Sequence, residues 1–271
     1  MKVIEFKNVS YGCGEGNLLT DVSFGIQKGS FTALAGENGA GKSTLCRLAA
    51  ALLRPVSGEV ISNGLSTSKE KTARFAAFTG FLFQNPDRQI CRSTVREEMA
   101  FGLKYTALGG REAELALSET IEEFGFAPER EIFSMTRGER QMLALASVLV
   151  RKPEILVADE PTSGLDARQY AVAAEKLKEA RRRGATVLMV THDMELAEET
   201  ADEMLVVAGG RITAHAPVEE IFSDRALMKR SSLRQTEIRE IAALLGGDFA
   251  KAASAYEMAE IIKNKRKRMV A

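Results

Sequence analysis

Eight consecutive residues, Gly36-Glu37-Asn38-Gly39-Ala40-Gly41-Lys42-Ser43, fit the pattern G-x-x-x-x-G-K-[ST] without a mismatch. The chemistry served by that spacing is the holding of phosphate. Glycines let the backbone curl so that successive N–H groups point inward, and a following helix turns its positive end toward the same point. Lys42 would reach the β- and γ-phosphates of a nucleotide such as ATP, and Ser43, followed by Thr44, would ligate Mg²⁺. The alternative is a glycine-rich turn that binds nothing. The flanking residues argue against it: a short apolar run at 31–35 precedes the loop, and Leu45, Leu48, Ala49 and Leu52 follow at helical spacing over 42–53.

A second acidic site stands at Asp159-Glu160, directly after the apolar run 155–158. If that run is a strand of a parallel sheet, its C-terminal end faces the ligand crevice. Asp159 is then suited to hold Mg²⁺ through a water and Glu160 to polarise an attacking water as a general base. Two exposed carboxylates at a strand end are the plainer reading. His192 follows the run 186–190 in the same way and could hydrogen-bond the γ-phosphate or the attacking water. His215, the other histidine, follows a hairpin and reads as a surface residue.

The elements that must position these groups are legible as a pattern. Runs 3–9 and 19–26 read as two strands with a turn. Ser57-Gly58 and Asn63-Gly64 punctuate a hairpin-like stretch before a strand at 78–83, and 94–150 is helical almost throughout, broken near Gly109-Gly110 and Pro128. Short apolar runs at 155–158 and 186–190, separated by a helical segment at 167–183, predict parallel strands of an α/β sheet. A hairpin through Gly209-Gly210 follows, then a helix from Val218, and the chain is mostly helical after Ser232.

The chain has 271 residues, 37 of them Lys or Arg and 37 Asp or Glu, so its net charge is zero. A basic nucleic-acid-binding surface is disfavoured. Hydrophobic residues make up 45% and charged residues 27%, the balance of a soluble globular chain with a sizeable core. No apolar stretch approaches the 18 or more residues of a membrane-spanning helix, and the first residues lack the apolar core of a secretory signal, which places the protein in the cytosol. Cys13, Cys46 and Cys91 form no close pair and predict neither a disulfide framework nor a thiolate metal site. The basic run Lys263, Lys265, Arg266, Lys267, Arg268 reads as a solvated helix end.

Taken in order, GENGAGKST, the Gln84 of LFQNPD, ILVADE, the SGLD of residues 163–166 and THD around His192 resemble an ABC-type ATPase over about residues 3–217. The resemblance implies an α/β fold of the P-loop NTPase kind. Its parts would be an N-terminal antiparallel β subdomain, a RecA-like parallel core, a helical subdomain at about 92–150 and a small C-terminal helical extension. Residues 1–220 would form the nucleotide-binding domain and 221–271 the extension. It implies that Tyr11 stacks on adenine, that Gln84 touches Mg²⁺ and the attacking water, and that Asp166 works across a dimer interface. Where the family usually reads LSGGQ, this chain has Met135-Thr136-Arg137-Gly138-Glu139. Thr136 keeps a hydroxyl and Gly138 a close backbone approach, whereas Arg137 adds a cation and Glu139 replaces an amide by a carboxylate. A weakened signature, acting on the nucleotide of a second ATPase subunit, is expected.

Gln84-Asn85-Pro86-Asp87, with Gln89 close behind, and the C-terminal stretches Leu233-Arg234-Gln235-Thr236-Glu237 and Ala255-Tyr256-Glu257-Met258 resemble the energy-coupling factor ATPases, importers of vitamins and metal ions. That likeness implies that Asp87 pairs with an Arg of a transmembrane coupling subunit, beside a substrate-binding membrane subunit, and that the C-terminal segment helps dimerise the ATPases. An N-cap role for Asp87 is the alternative. The altered signature favours a heterodimer over a homodimer, with the ATPase peripheral to the cytoplasmic face of the membrane. Another ABC importer, or a soluble ABC protein without a transport role, are the competing readings; no nucleic-acid partner is expected.

Overall fold

The computed structural model describes residues 1–12, 16–104, 106, 108–252 and 255–270, and only the backbone of residues 250, 251, 255 and 265–270. Cys13 and the side chains of Lys265, Arg266, Lys267 and Arg268 therefore lie outside the described residues. In chain order the first elements are β1 (Lys2–Gly12), β2 (Asn17–Gln27), β3 (Phe31–Gly36), α1 (Lys42–Ala49), β4 (Ser57–Ser62), β5 (Leu65–Ser66), α2 (Thr72–Phe75) and β6 (Thr79–Leu82). Next come α3 (Val95–Leu103), α4 (Gly110–Glu123), α5 (Arg137–Leu149), β7 (Ile155–Asp159), α6 (Ala167–Arg182), β8 (Thr186–Val190) and α7 (Met194–Thr200). The chain closes with β9 (Glu203–Ala208), β10 (Arg211–Pro217), α8 (Val218–Ser223), α9 (Arg225–Arg230), α10 (Glu237–Leu245) and α11 (Ala255–Val270).

Two sheets result. The smaller is antiparallel in the order β2-β1-β4-β5, and the larger runs β10-β9-β3-β8-β7-β6, parallel except for the edge strand β10. β7 and β8 are buried at every position, as strands covered on both faces must be, and this is why they read as unbroken apolar runs. The first two strands and the hairpin expected around Asn63-Gly64 are present; Asn63 (φ 48°) and Gly64 (φ 77°) make the two-residue turn that joins β4 to β5.

Side chains from β1, β2 and β4 meet α1 and one face of the large sheet in a single core that includes Ile4, Phe6, Leu45, Leu48, Val157 and Val190. Phe6 and Phe24 stack across β1 and β2 at 4.4 Å. Helix α5 is apolar nearly all round because it faces two ways. Ala144, Leu145, Val148 and Leu149 pack on the sheet, while Leu143, Ala146 and Val150 pack with Val95, Met99, Leu117 and Ile121 in a helical layer. Among the described residues the helical stretch expected at 94–150 is thus three α-helices with breaks near both predicted points.

Helix α1 is shorter than its apolar pattern predicts. It stops at Ala49 rather than Leu53, because Ala51 takes a left-handed conformation (φ 56°), with Leu52 N–H donating to the Arg47 carbonyl (2.8 Å) and Ala51 N–H to that of Leu48 (3.1 Å). This closes the helix by the usual C-terminal motif without a glycine. Cys46 is buried and Cys91 exposed, both as free thiols. Among the described residues no helix is long and apolar enough to cross a membrane.

Candidate functional site

The crevice forms where β3, β7 and β8 end. The chain leaves β3 through Gly36, whose φ of 144° and contact with the Val207 carbonyl oxygen leave no room for a Cβ. It enters α1 through Gly41 at φ 97°, where a Cβ would collide with Leu19. Helices α3, α5 and α6 each begin with a side-chain capping box, whereas α1 has neither a side-chain cap nor an acidic residue in its first turn. Its N-terminal amides are left to donate to another partner, and an anion fits them. Lys42 lies over the loop, its Nζ donating to the carbonyls of Gly36 and Glu37 at 2.8 Å each.

A cavity of about 270 Å³ is lined by Asn38, Gly39, Gly41, Lys42, Ser43, Thr44, Gln84, Asp159, Glu160 and His192, with Leu18 and Val190 as apolar wall. Ser43 Oγ donates to Asp159 Oδ1 at 3.1 Å, so a hydroxyl and a carboxylate, both hard oxygen donors suited to Mg²⁺, already face each other. Burial raises the Asp159 carboxyl above its ordinary value, opposed by the Ser43 hydrogen bond and by Arg47 and Lys42. Burial also lowers the Lys42 ammonium, against the attraction of Glu160 and Asp159.

Glu160 follows β7 with φ 52°, a left-handed conformation costly for a residue with a Cβ, by about 1–2 kcal/mol. Its N–H donates to the Val190 carbonyl at 3.0 Å, which carries the parallel pairing of β7 with β8 one residue past the end of β7. Burial pushes its carboxyl up to about 7, and Oε1 has no hydrogen-bond partner. His192 Nε2 stands 3.5 Å from that oxygen. Burial first, then Lys42, lower His192 below its ordinary 6.5, so the ring is neutral at neutral pH and the approach is not an ion pair there.

Other sequence-predicted residues sit around this cavity rather than on it. Ala40 is buried beneath the loop. The Glu37 side chain points away and accepts from Ser232 Oγ at 3.0 Å. Tyr11 lies opposite Leu19 on β1 and packs against the core. Thr136 and Glu139 form the capping box of α5, with Thr136 N–H donating to Glu139 Oε2 at 2.8 Å. Glu139 Oε1 is also 2.8 Å from Arg130, and that contact, with the Thr136 amide, holds its carboxyl below the ordinary range. Asp166 caps α6 by accepting from Gln169 N–H at 2.8 Å, and a Cβ on Gly138 would run into Gln169 Oε1. The altered signature and the SGLD segment are therefore packed together as a second cluster. It is joined to the first where Gln141 Nε2 donates to the carbonyl of Pro161 at 3.4 Å, one residue after Glu160.

Asp87 is half exposed and pairs with Arg140 Nε on α5 at 2.8 Å. The N-cap of the short 3₁₀ turn Pro86–Arg88 is Asn85, whose side chain accepts from Asp87 N–H, so the alternative capping role falls to Asn85 and not to Asp87. Gln89, quoted above only for resemblance, bridges the segment to α5: it accepts from Phe83 N–H (3.1 Å) and donates to the Ala144 carbonyl (2.8 Å) and Ser147 Oγ (3.2 Å). His215 is exposed on β10, as expected, and its Nε2 lies 2.9 Å from Glu203 Oε2.

The family model for ABC transporters matches residues 19–163. Over 212 residues the chain is 39% identical to a putative ABC transporter ATP-binding protein of Methanosarcina mazei, covering 78% of this chain and 43% of that protein. The chain thus spans less than half the length of several curated relatives it matches. It is 36% identical over 237 residues to the energy-coupling factor transporter ATP-binding protein EcfA of Methanothermobacter thermautotrophicus, covering 86% of this chain and 76% of that one. Among solved structures it resembles CbiO1 of Clostridium perfringens, described as part of the ABC transporter complex CbiONQ, with a TM-score of 0.74, 26% identity, and 90% and 98% of the two chains covered. A phosphate loop, an acidic strand end and a histidine brought to one crevice, on a chain matched by that family over more than half its length, mean that the protein belongs to the ABC transporter family and carries its ATPase domain.

Proposed function

We propose that the chain is the ATP-binding and ATP-hydrolysing subunit of an energy-coupling factor type importer for a vitamin or metal ion. The observation that carries the hydrolytic reading is Glu160, a largely buried carboxylate whose Oε1 has no hydrogen-bond partner, set in one cavity with Lys42, Ser43, Asp159 and His192. Lys42 and the α1 amides would neutralise the β- and γ-phosphates. Ser43, Asp159 and Gln84 would hold Mg²⁺, which when bound supplies positive charge to the phosphate oxygens. Glu160, with a carboxyl near 7, is tuned to take the proton of the attacking water, and neutral His192 can hydrogen-bond that water or the γ-phosphate. Tyr11 is proposed to stack on adenine, and Thr136, Gly138, Glu139 and Asp166 to serve a nucleotide held by a second ATPase subunit.

Glu139 is engaged by Arg130 and by its own helix cap, which supports a weakened signature and hence a heterodimer. Residues 1–220 would be the catalytic unit and 221–271 the dimerising extension, on which Ile241, Leu244 and Leu245 are exposed. Asp87 opens onto a groove between the 3₁₀ turn and α5, lined also by Ile90, Phe133 and Arg140, which supports its role toward a transmembrane coupling subunit next to a substrate-binding membrane subunit. That assembly would keep the ATPase at the cytoplasmic face of the membrane. Glu160→Gln tests the chemistry: it should still bind ATP and lose turnover by about 10²-fold or more, and near-normal turnover would remove Glu160 from this role.

A further inference from the structure

Helix α9 ends as α1 does, with Leu233 N–H donating to the Met228 carbonyl (2.9 Å) and Ser232 N–H to that of Lys229 (3.2 Å). In this motif the left-handed position is usually glycine. Here it is Ser232, at φ 55°, a more costly choice for the backbone. Its hydroxyl crosses 195 positions of sequence to donate to Glu37 Oε1 at 3.0 Å. The hydroxyl is rigidly presented, because Leu227 and Met228 are buried, and Leu233 half-buried, in the cluster that holds Ala33 and Ala35 of β3. Glu37 is in turn tied to the phosphate lysine, since its carbonyl accepts from Lys42 Nζ at 2.8 Å.

The same segment is fastened a second time, to α7 and α8. Glu237 N–H donates to Glu195 Oε1 at 3.1 Å, and the nearly buried Arg239 bonds both Glu198 and Glu219. Glu195 and Glu198 lie on α7, the helix capped by Asp193 directly after His192.

We propose that Ser232 is a positioning residue for the phosphate loop, and that the segment it opens ties the C-terminal extension to the nucleotide site through Glu37 on one side and α7 on the other. This rests on the nucleotide-binding reading above and names a part of the chain through which that site can be tuned. Losing one hydroxyl-to-carboxylate bond at a solvent-accessible position should weaken ATP binding by about three- to ten-fold.

The test is a double-mutant cycle on MgATP binding to the full chain, measured by calorimetric titration in the Glu160→Gln background so that the ligand survives. Ser232→Ala and Glu37→Ala should each weaken binding by similar factors, and the double variant by no more than the worse single one, because both remove the same bond. Unchanged affinity in Ser232→Ala, or losses that simply add, would overturn the proposal. Ser232→Gly removes the hydroxyl while easing the left-handed backbone, so it should lose affinity although the fold is kept; retained affinity there would also overturn it. A parent chain that binds no ATP, or binds it equally well with Lys42→Ala, brings down the nucleotide reading and this inference together. Lys42-dependent binding that is indifferent to Ser232 brings down this inference alone.

Discussion

Glu160 combines three features that rarely coincide: a left-handed backbone, an unpartnered buried oxygen and a carboxyl raised to about 7 by burial. Each is costly alone, and together they suit a group that must exchange a proton near neutral pH. If Glu160 is the base it must be ionised, so ATPase activity should climb as pH rises through about 7 and then level off, and a profile flat from about pH 6 to 8 would contradict the assignment. The stability effect runs the other way. Because the folded-state value lies above the ordinary 4.5, the folded protein holds the extra proton between 4.5 and about 7, and this contribution is lost as pH rises through 7. Thermal denaturation should therefore show the parent losing stability relative to Glu160→Gln as the buffer moves from about pH 5 to about pH 8.

Elements decide where such residues can stand. The loop between β3 and α1 is tight because Gly36 faces the Val207 carbonyl on the neighbouring strand β9. Gly36→Ala should consequently destabilise the fold by at least about 2 kcal/mol, seen as a lowered Tm, and an unshifted Tm would mean the loop relaxes freely. The segment after β6 is held to α5 by Gln89, whose side chain bonds Phe83, Ala144 and Ser147. Gln89→Leu should cost about 1–3 kcal/mol by leaving the partly buried Phe83 amide unpaired, again read as Tm. Periodicity made β7, β8 and α5 visible, since buried strands are continuous in apolar residues and α5 is apolar on two faces. It overran the end of α1, because Leu52 continues the apolar spacing after the backbone has already turned at Ala51. It also missed α7, whose seven residues are too few to display a period.

At the scale of the whole molecule the predictions concern the partner. Glu139 and Asp87 are both paired within the chain, with Arg130 and Arg140, so a partner's cation at either carboxylate must compete with an internal one. A heterodimer predicts that the purified Glu160→Gln chain in MgATP sediments mainly as a monomer and dimerises when a sister ATPase is added; a stable homodimer with ordinary ATPase rates in the parent would refute it. Asp87→Ala should leave soluble ATPase activity within about two-fold while abolishing uptake by the proposed importer complex, and undiminished uptake would sink the coupling role.

From residue types and spacing alone came the phosphate loop, the acidic strand end, the histidine and the alternation of helices and strands. Those features are local: a P-loop is eight contiguous residues, and a buried strand or an amphipathic helix carries its own period. What only the tertiary structure decided is which side chains are already spent. Arg130 holds Glu139, Arg140 on α5 holds Asp87, and Ser232 reaches Glu37 across most of the chain. Such partners are separated in sequence or selected by backbone geometry, and hydrogen bonding between distant groups leaves no periodic trace for a sequence to display.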